Sequence, residues 1–181
     1  MPDCRVSAPL HVTWELVPRC ASAYWASART CRDGQNLYFA FQVRSPDVKE
    51  GTVFPEIVEL FLDARKDTSA TGSVWHRPKG LTQFAFHRDF RDPDRPAVTI
   101  GANGDASQGE GVRAAVARAA DGYTLEVAIP VANFRQIEVV PGTAIPWDWA
   151  VSFTDQAVNL DWLGLMSRMQ STRGYGWLVL K

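Results

Sequence analysis

The sequence predicts an all-β fold: a two-sheet antiparallel β-sandwich with minimal helix. Three observations support this prediction. Residues 120–134 alternate apolar and polar side chains after a turn dipeptide, several other segments show the same period of two, and no segment has the spacing of a long helix. Alternation bounded by turn residues is typical of half-buried strands, and many short strands of this kind are typical of sandwiches.

The clearest strand follows the turn dipeptide Asp121-Gly122 in the segment ADGYTLEVAIPVANF. Leu125, Val127 and Ile129 fall on one face, and the residues between them fall on the other. Pro130 ends the ladder because it has no N–H to donate. The four residues after Pro130 are expected to form one short helical turn.

The remaining elements follow the same reasoning along the chain. Strands are predicted at 13–17, 36–44, 57–63, 82–88, 148–154 and 176–180. Residues 112–119 suit a helix or a strand by composition, and the turn after them favours a hairpin. Long loops are predicted at 64–81, 89–111 and 155–175. The sheets could follow a jelly-roll or an immunoglobulin-like order, and the sequence does not separate the two.

Length and charge narrow the classes of function. The 181 residues fit one domain spanning 1–181, and the net charge is −1 without a basic stripe. We therefore expect neither nucleic acid nor an anionic membrane as a partner. No apolar stretch is long enough to span a bilayer, and the first residues lack the pattern of a signal peptide. Localisation stays open between the cytoplasm and secretion with the leader removed.

The reactive side chains give no catalytic or metal-binding pattern. Cys4, Cys20 and Cys31 are odd in number and match no zinc spacing. His76 and His87 are close in sequence but lack a clear third ligand. There is no nucleophile elbow, phosphate loop or zincin helix. We therefore predict no enzyme activity, no metal and no cofactor.

Two polar or aromatic features point to a binding surface. Glu59 lies inside an otherwise apolar strand, where a carboxylate is costly unless it is paired or hydrogen-bonded. It is either tied to an arginine or directed into a polar site. Trp162 falls in a predicted loop and could stack on a sugar ring or plug the end of the core. Aromatic side chains outside clear strand positions include Trp25, Phe54, Trp75 and Trp147.

The ordered segments resemble the family 9 carbohydrate-binding modules and the wider DOMON-like β-sandwiches. The segments that carry the resemblance span residues 33–181: DGQNLYFAFQVRSPDV at 33–48, IVELFLDAR at 57–65, QFAF at 83–86, DGYTLEVAIPVANF at 121–134, DWAVSFTDQ at 148–156 and GYGWLVL at 174–180. The resemblance implies a non-catalytic module that holds a sugar or polysaccharide end on the concave sheet face.

The resemblance also implies a set of ligand-binding residues. The strand carboxylate falls on Glu59, and the loop Asn and Trp fall on Asn159 and Trp162. Phe54 or Trp75 would form the opposite aromatic wall, and Gln83 and His87 would line the outward face. The sequence departs from the family pattern at two places, because Phe54 stands near the position of the first Trp and Ala85 replaces an Arg.

Two alternatives accompany this expectation. A haem- or metal-binding DOMON-like module would need axial ligands, for which Met166 and Met169 with His76 or His87 are available. A structural or partner-binding sandwich would have lost the sugar clamp altogether.

Overall fold

The computed structural model describes residues 25–45, 53–89, 96–153, 158–161, 171–172 and 174–181. These residues form two antiparallel sheets that pack face to face. Helical structure within them is limited to short 3₁₀ segments at Val74–His76, Ala106–Gly109 and Val131–Asn133. The predicted all-β sandwich is confirmed.

One sheet has four strands in the order β1-β2-β7-β6. Its strands are β1 (Trp25–Arg32), β2 (Asn36–Arg44), β6 (Arg113–Ala119) and β7 (Gly122–Pro130). β6 and β7 form the hairpin that the turn dipeptide predicts, and the helical turn after Pro130 is also present.

The other sheet has six strands, with β10-β8-β3-β4-β5 in order and β9 paired to β8. Its strands are β3 (Val53–Asp63), β4 (Leu81–Asp89), β5 (Ala97–Gly104), β8 (Ala144–Phe153), β9 (Val158–Asp161) and β10 (Gly176–Val179). β3 is central in this sheet, between β4 and β8, as its largely apolar faces suggest.

The core lies between the sheets and uses the inward positions that the alternation predicts. Phe39 and Phe41 of β2 meet Trp147 and Trp149 of β8, with ring centroids 5.8 and 5.7 Å apart. Each buried aromatic side chain contributes about 1.5–3 kcal/mol by leaving water. Large rings from β2 and β8 therefore pack between the sheets together with the aliphatic side chains of the core.

Three strands differ from the sequence-based prediction. β5 and β9 form within segments predicted as loops. β1, which begins at Trp25, forms where no strand was predicted. β5 reads AVTIGANG, and its small residues weaken the periodic signal. Trp147 likewise lies within β8 and in the core. The strand expected at 13–17 lies outside the described residues.

Candidate functional site

The six-stranded sheet has an outer face, directed away from the core, that carries most of the predicted ligand-binding residues within the described chain. Val58, Leu60 and Leu62 of β3 point into the core, so Glu59 between them points outward. The pairing places Gln83 and His87 of β4 and Ser152 of β8 on the same side. We call this surface, centred on Glu59, the outer face.

Glu59 is half-buried and is hydrogen-bonded from two neighbouring strands. Gln83 Nε2 donates to Glu59 Oε1, and Ser152 Oγ donates to Glu59 Oε2 over 3.3 Å. Of the two sequence-based possibilities for this residue, these contacts favour the polar site. A carboxylate group has about four lone-pair sites, so two donors leave acceptor capacity for another molecule.

The residues beside Glu59 are small. Ala85 of β4 and Ala150 of β8 lie directly opposite it on its two sides, and Gly101 of β5 lies opposite Ala85. Ala150 is fully buried, whereas Ala85 and Gly101 are partly exposed. The accessible side of the carboxylate therefore faces β4 and β5.

Gly101 is not required by the backbone or by close packing. Its φ angle is not positive, and an added Cβ would lie 3.8 Å from the Cβ of Ala85, which is an ordinary contact. The glycine therefore leaves space on the outer face that the fold itself does not need.

A small apolar cluster covers one end of the outer face. Phe61 and Leu81 lie under Val74 and Tyr175, with the Phe61 and Tyr175 ring centroids 6.1 Å apart. Trp75 follows Val74 and is 62% exposed. The predicted aromatic residue therefore stands on the segment that borders the outer face.

An ion pair orders the start of this covering segment. Arg65 Nε and Nη2 each donate to the buried carboxylate of Asp63 over 2.7 Å, and Nη2 also donates to the carbonyl of Ala70 over 2.8 Å. The Asp63 carboxylate raises the pKa of Arg65 above its ordinary value. The pair is bidentate and shielded from water, since the two side chains are only 13% and 1% exposed.

The predicted site residues are described to different extents. Glu59, Gln83 and His87 share the outer face, with Gln83 buried and His87 half-buried. Asn159 lies in β9 opposite Ser152, and Phe54 lies near the start of β3. The side chains of Asn159 and Phe54 and the whole of Trp162 lie outside the described residues.

Sequence reasoning missed three outer-face residues. Ser152 alternates with the core residue Val151 in a correctly predicted strand, so its direction was available from the pattern. Asn103 and Gly101 were not available, because their segment was predicted as a loop. Their position follows from the pairing of β5 with β4.

No group of three or more His, Cys, Asp or Glu side chains in the described part of the chain could hold a metal ion. His76 ends a 3₁₀ segment and is exposed, whereas His87 lies in β4. Met166 and Met169, the other ligands considered for haem, lie outside the described residues. Among the residues that can be described, no helix has the length and apolar character to cross a membrane.

The fold is similar to that of solved carbohydrate-binding modules. A family 9 module from Caldicellulosiruptor kristjanssonii in complex with cellotriose matches with a TM-score of 0.63 and 16% identity, covering 98% of this chain and 83% of that chain. A family 9 module from the same organism in complex with glucose matches with a TM-score of 0.62 and 16% identity, covering 87% and 77%.

No protein-family model matches the sequence, and no curated protein matches it. The structural matches support the family 9 part of the resemblance and give no support to the DOMON-like part. The chain therefore has the β-sandwich fold of the family 9 carbohydrate-binding modules.

Proposed function

We propose that this protein is a non-catalytic carbohydrate-binding module that holds a sugar on the outer face of its six-stranded sheet. The observation that carries the proposal is Glu59, a half-buried strand carboxylate that accepts from Gln83 and Ser152 and lies directly opposite the small, partly exposed Ala85. Solved modules of this fold were obtained with cellotriose and with glucose, which supports a sugar as the ligand.

The chemistry of Glu59 suits sugar hydroxyl groups. A carboxylate accepts hydrogen bonds from hydroxyl donors, and such charge-assisted bonds are stronger than neutral ones. Half-burial lowers the competition from water. We infer that the unused lone pairs of Glu59 accept the hydroxyl groups of a sugar end, with His87 lining the same face.

Aromatic stacking would supply the apolar part of the binding. Trp162 is proposed as one stacking ring, with Phe54 or Trp75 as the opposite wall and Asn159 bridging hydroxyl groups. The position of β9 beside Ser152 supports this arrangement, because it places the backbone of Asn159 next to a strand that contacts Glu59. The exposed ring of Trp75 on the covering segment is also consistent with it.

Isothermal calorimetry with glucose, cellobiose and cellotriose tests the proposal. We expect binding by the unmodified protein at millimolar sugar or below, and losses of about tenfold or more in Glu59→Gln and in Trp162→Ala. The chain offers a matched control. Glu126 is a strand glutamate on the opposite sheet, flanked by Ala40 and Ala115 just as Glu59 is flanked by alanines.

Glu126→Gln is expected to leave sugar affinity unchanged. The absence of binding of all three sugars at millimolar concentration would sink the proposal and favour a structural or partner-binding sandwich. Equal losses in Glu59→Gln and Glu126→Gln would show that the site lies elsewhere.

A further inference from the structure

A chain of side-chain hydrogen bonds crosses four strands of the outer face. Asn103 Nδ2 of β5 donates to Gln83 Oε1 of β4 over 2.9 Å. Gln83 Nε2 then donates to Glu59 of β3, which also accepts from Ser152 of β8. The chain therefore ends on the carboxylate at the centre of the proposed site.

The chemistry of Glu59 dictates the direction of this chain. An ionised carboxylate only accepts hydrogen bonds, so Gln83 must turn its NH₂ group toward Glu59. The carbonyl oxygen of Gln83 then faces Asn103, which must donate a hydrogen bond to it from its own NH₂ group. Each amide thus has one orientation that satisfies both of its neighbours.

Burial makes Gln83 a poor candidate for direct ligand contact. Its side chain belongs to a residue that is only 4% exposed, and both ends of its amide group are engaged within the protein. The register places Gln83 directly opposite Asn103 and diagonally beside Glu59, whose own partner on β4 is Ala85. Gln83 therefore acts on a ligand only through Glu59, and Asn103 holds the Gln83 amide in place.

We propose that Gln83 and Asn103 are positioning residues, which hold the Glu59 carboxylate in the orientation that receives the ligand. The proposal rests on the carbohydrate-binding function proposed above. A carboxylate already fixed by its neighbours loses less rotamer freedom when a ligand binds, so the network raises affinity through the orientation of Glu59.

Reversing the direction of these side-chain hydrogen bonds tests this proposal. Asn103→Asp replaces the donor with an acceptor, so Gln83 must direct its NH₂ group to residue 103 and its oxygen to Glu59. In the Glu59→Gln background the same reversal is tolerated, because a glutamine at 59 can donate to the Gln83 oxygen. Asn103→Asp is therefore expected to lower the stability of the protein when residue 59 is glutamate and to leave it nearly unchanged when residue 59 is glutamine.

Two measurements test this expectation. The free energy of unfolding in urea is measured for the unmodified protein, Asn103→Asp, Glu59→Gln and the double variant, which form a double-mutant cycle. We expect the double variant to be more stable than the sum of the two single changes predicts. Calorimetry with cellotriose is expected to show about tenfold weaker binding in Asn103→Asp and a smaller loss in the similarly shaped Asn103→Leu, which removes the donor without reversing the chain.

The outcomes separate this inference from the proposed function. Additive unfolding energies would overturn the positioning network, and so would unchanged cellotriose affinity in Asn103→Asp in a protein that binds cellotriose. If the unmodified protein binds no sugar while the unfolding cycle is non-additive, the network orienting Glu59 stands and the proposed function is what fails.

Discussion

Ala85 of β4 lies directly opposite Glu59 of β3 in the antiparallel register. The resemblance to the family 9 modules implies an arginine at the position of Ala85, so this pairing marks where the chain departs from the expected pattern. The departure leaves Glu59 with amide and hydroxyl donors instead of a guanidinium group at this point. Its consequences for ligand binding can be measured directly.

Replacing Ala85 with arginine is expected to strengthen sugar binding. The guanidinium group would meet Glu59 across the strand pair, where opposite charges contribute roughly 0.2–1 kcal/mol, and would offer further donors to sugar hydroxyl groups. We expect about fivefold tighter cellotriose binding by calorimetry, equivalent to about 1 kcal/mol. Ala85→Gln, which adds length without charge, serves as the control. Weaker binding in Ala85→Arg than in Ala85→Gln would argue against this reasoning.

Filling the space at Gly101 is expected to weaken sugar binding without harming the fold. Valine suits a strand, and glycine within one costs roughly 0.5–1 kcal/mol relative to alanine, so Gly101→Val should unfold at the same or a higher urea concentration. Its side chain would occupy the outer face beside Ala85 and reduce cellotriose affinity. Ala115→Val on the exposed face of the four-stranded sheet is the control. Full affinity in Gly101→Val would place the ligand away from β5.

The two Asp-Gly dipeptides of the chain are expected to respond differently to an added methyl group. At Gly122 a Cβ would overlap the carbonyl oxygen of Val43 on the adjacent strand, whereas at Gly34 nothing lies within 4 Å. Gly122→Ala should therefore lower the free energy of unfolding by about 2 kcal/mol or more, because the backbone of β2 must shift. Gly34→Ala should change it by less than about 0.5 kcal/mol. Thermal unfolding that gives equal losses would contradict the close approach at Gly122.

Asp105 is expected to contribute to acid sensitivity. Burial opposes its ionisation, but donors from Ser107 and from the N–H of Gly80 outweigh it and lower the pKa of Asp105 below 3.8. Because the folded pKa lies below the unfolded value, the carboxylate stabilises the fold above that unfolded value. The contribution is lost as the pH falls through the folded pKa.

Urea unfolding between pH 7 and pH 3 checks this expectation. Asp105→Asn should be less stable than the unmodified protein at pH 7, by about 1 kcal/mol, because an NH₂ group cannot accept from the N–H of Gly80 and the charge is lost. The difference should shrink below about pH 4. The exposed Glu138→Gln is the control. A stability gap that stays constant down to pH 3 would show that Asp105 titrates normally.

Much of the scaffold could be predicted from local patterns. The alternation in β2, β3, β4 and β7 placed Phe39, Leu60, Phe84 and Val127 in the core, where they are found. The hairpin before Gly122 and the turn after Pro130 also followed from residue type. Weakly periodic strands escaped prediction, because β5 consists largely of small residues and β9 is only four residues long.

The sequence singled out Glu59, whose charge stood out in an apolar strand, and it also placed Gln83 and His87 on the outward face. The hydrogen bonds around Glu59 could not be predicted, because Gln83, Asn103 and Ser152 come from three other strands, one of them predicted as a loop. The dipeptide Asp121-Gly122 correctly predicted a turn, but the sequence did not show that Gly122 is also required by the close approach of β2.

The sequence by itself determined the strongly alternating strands and which side of each of them faces the core, because a period of two is a local property of the chain. Tertiary structure alone decided the neighbours of Glu59. Sheet order and register bring Ala85, Ser152 and the amide chain from Asn103 around it, and residues distant in sequence meet only after the sheet has assembled. The physical basis is that each strand's alternation fixes its own faces but not its partner or its alignment.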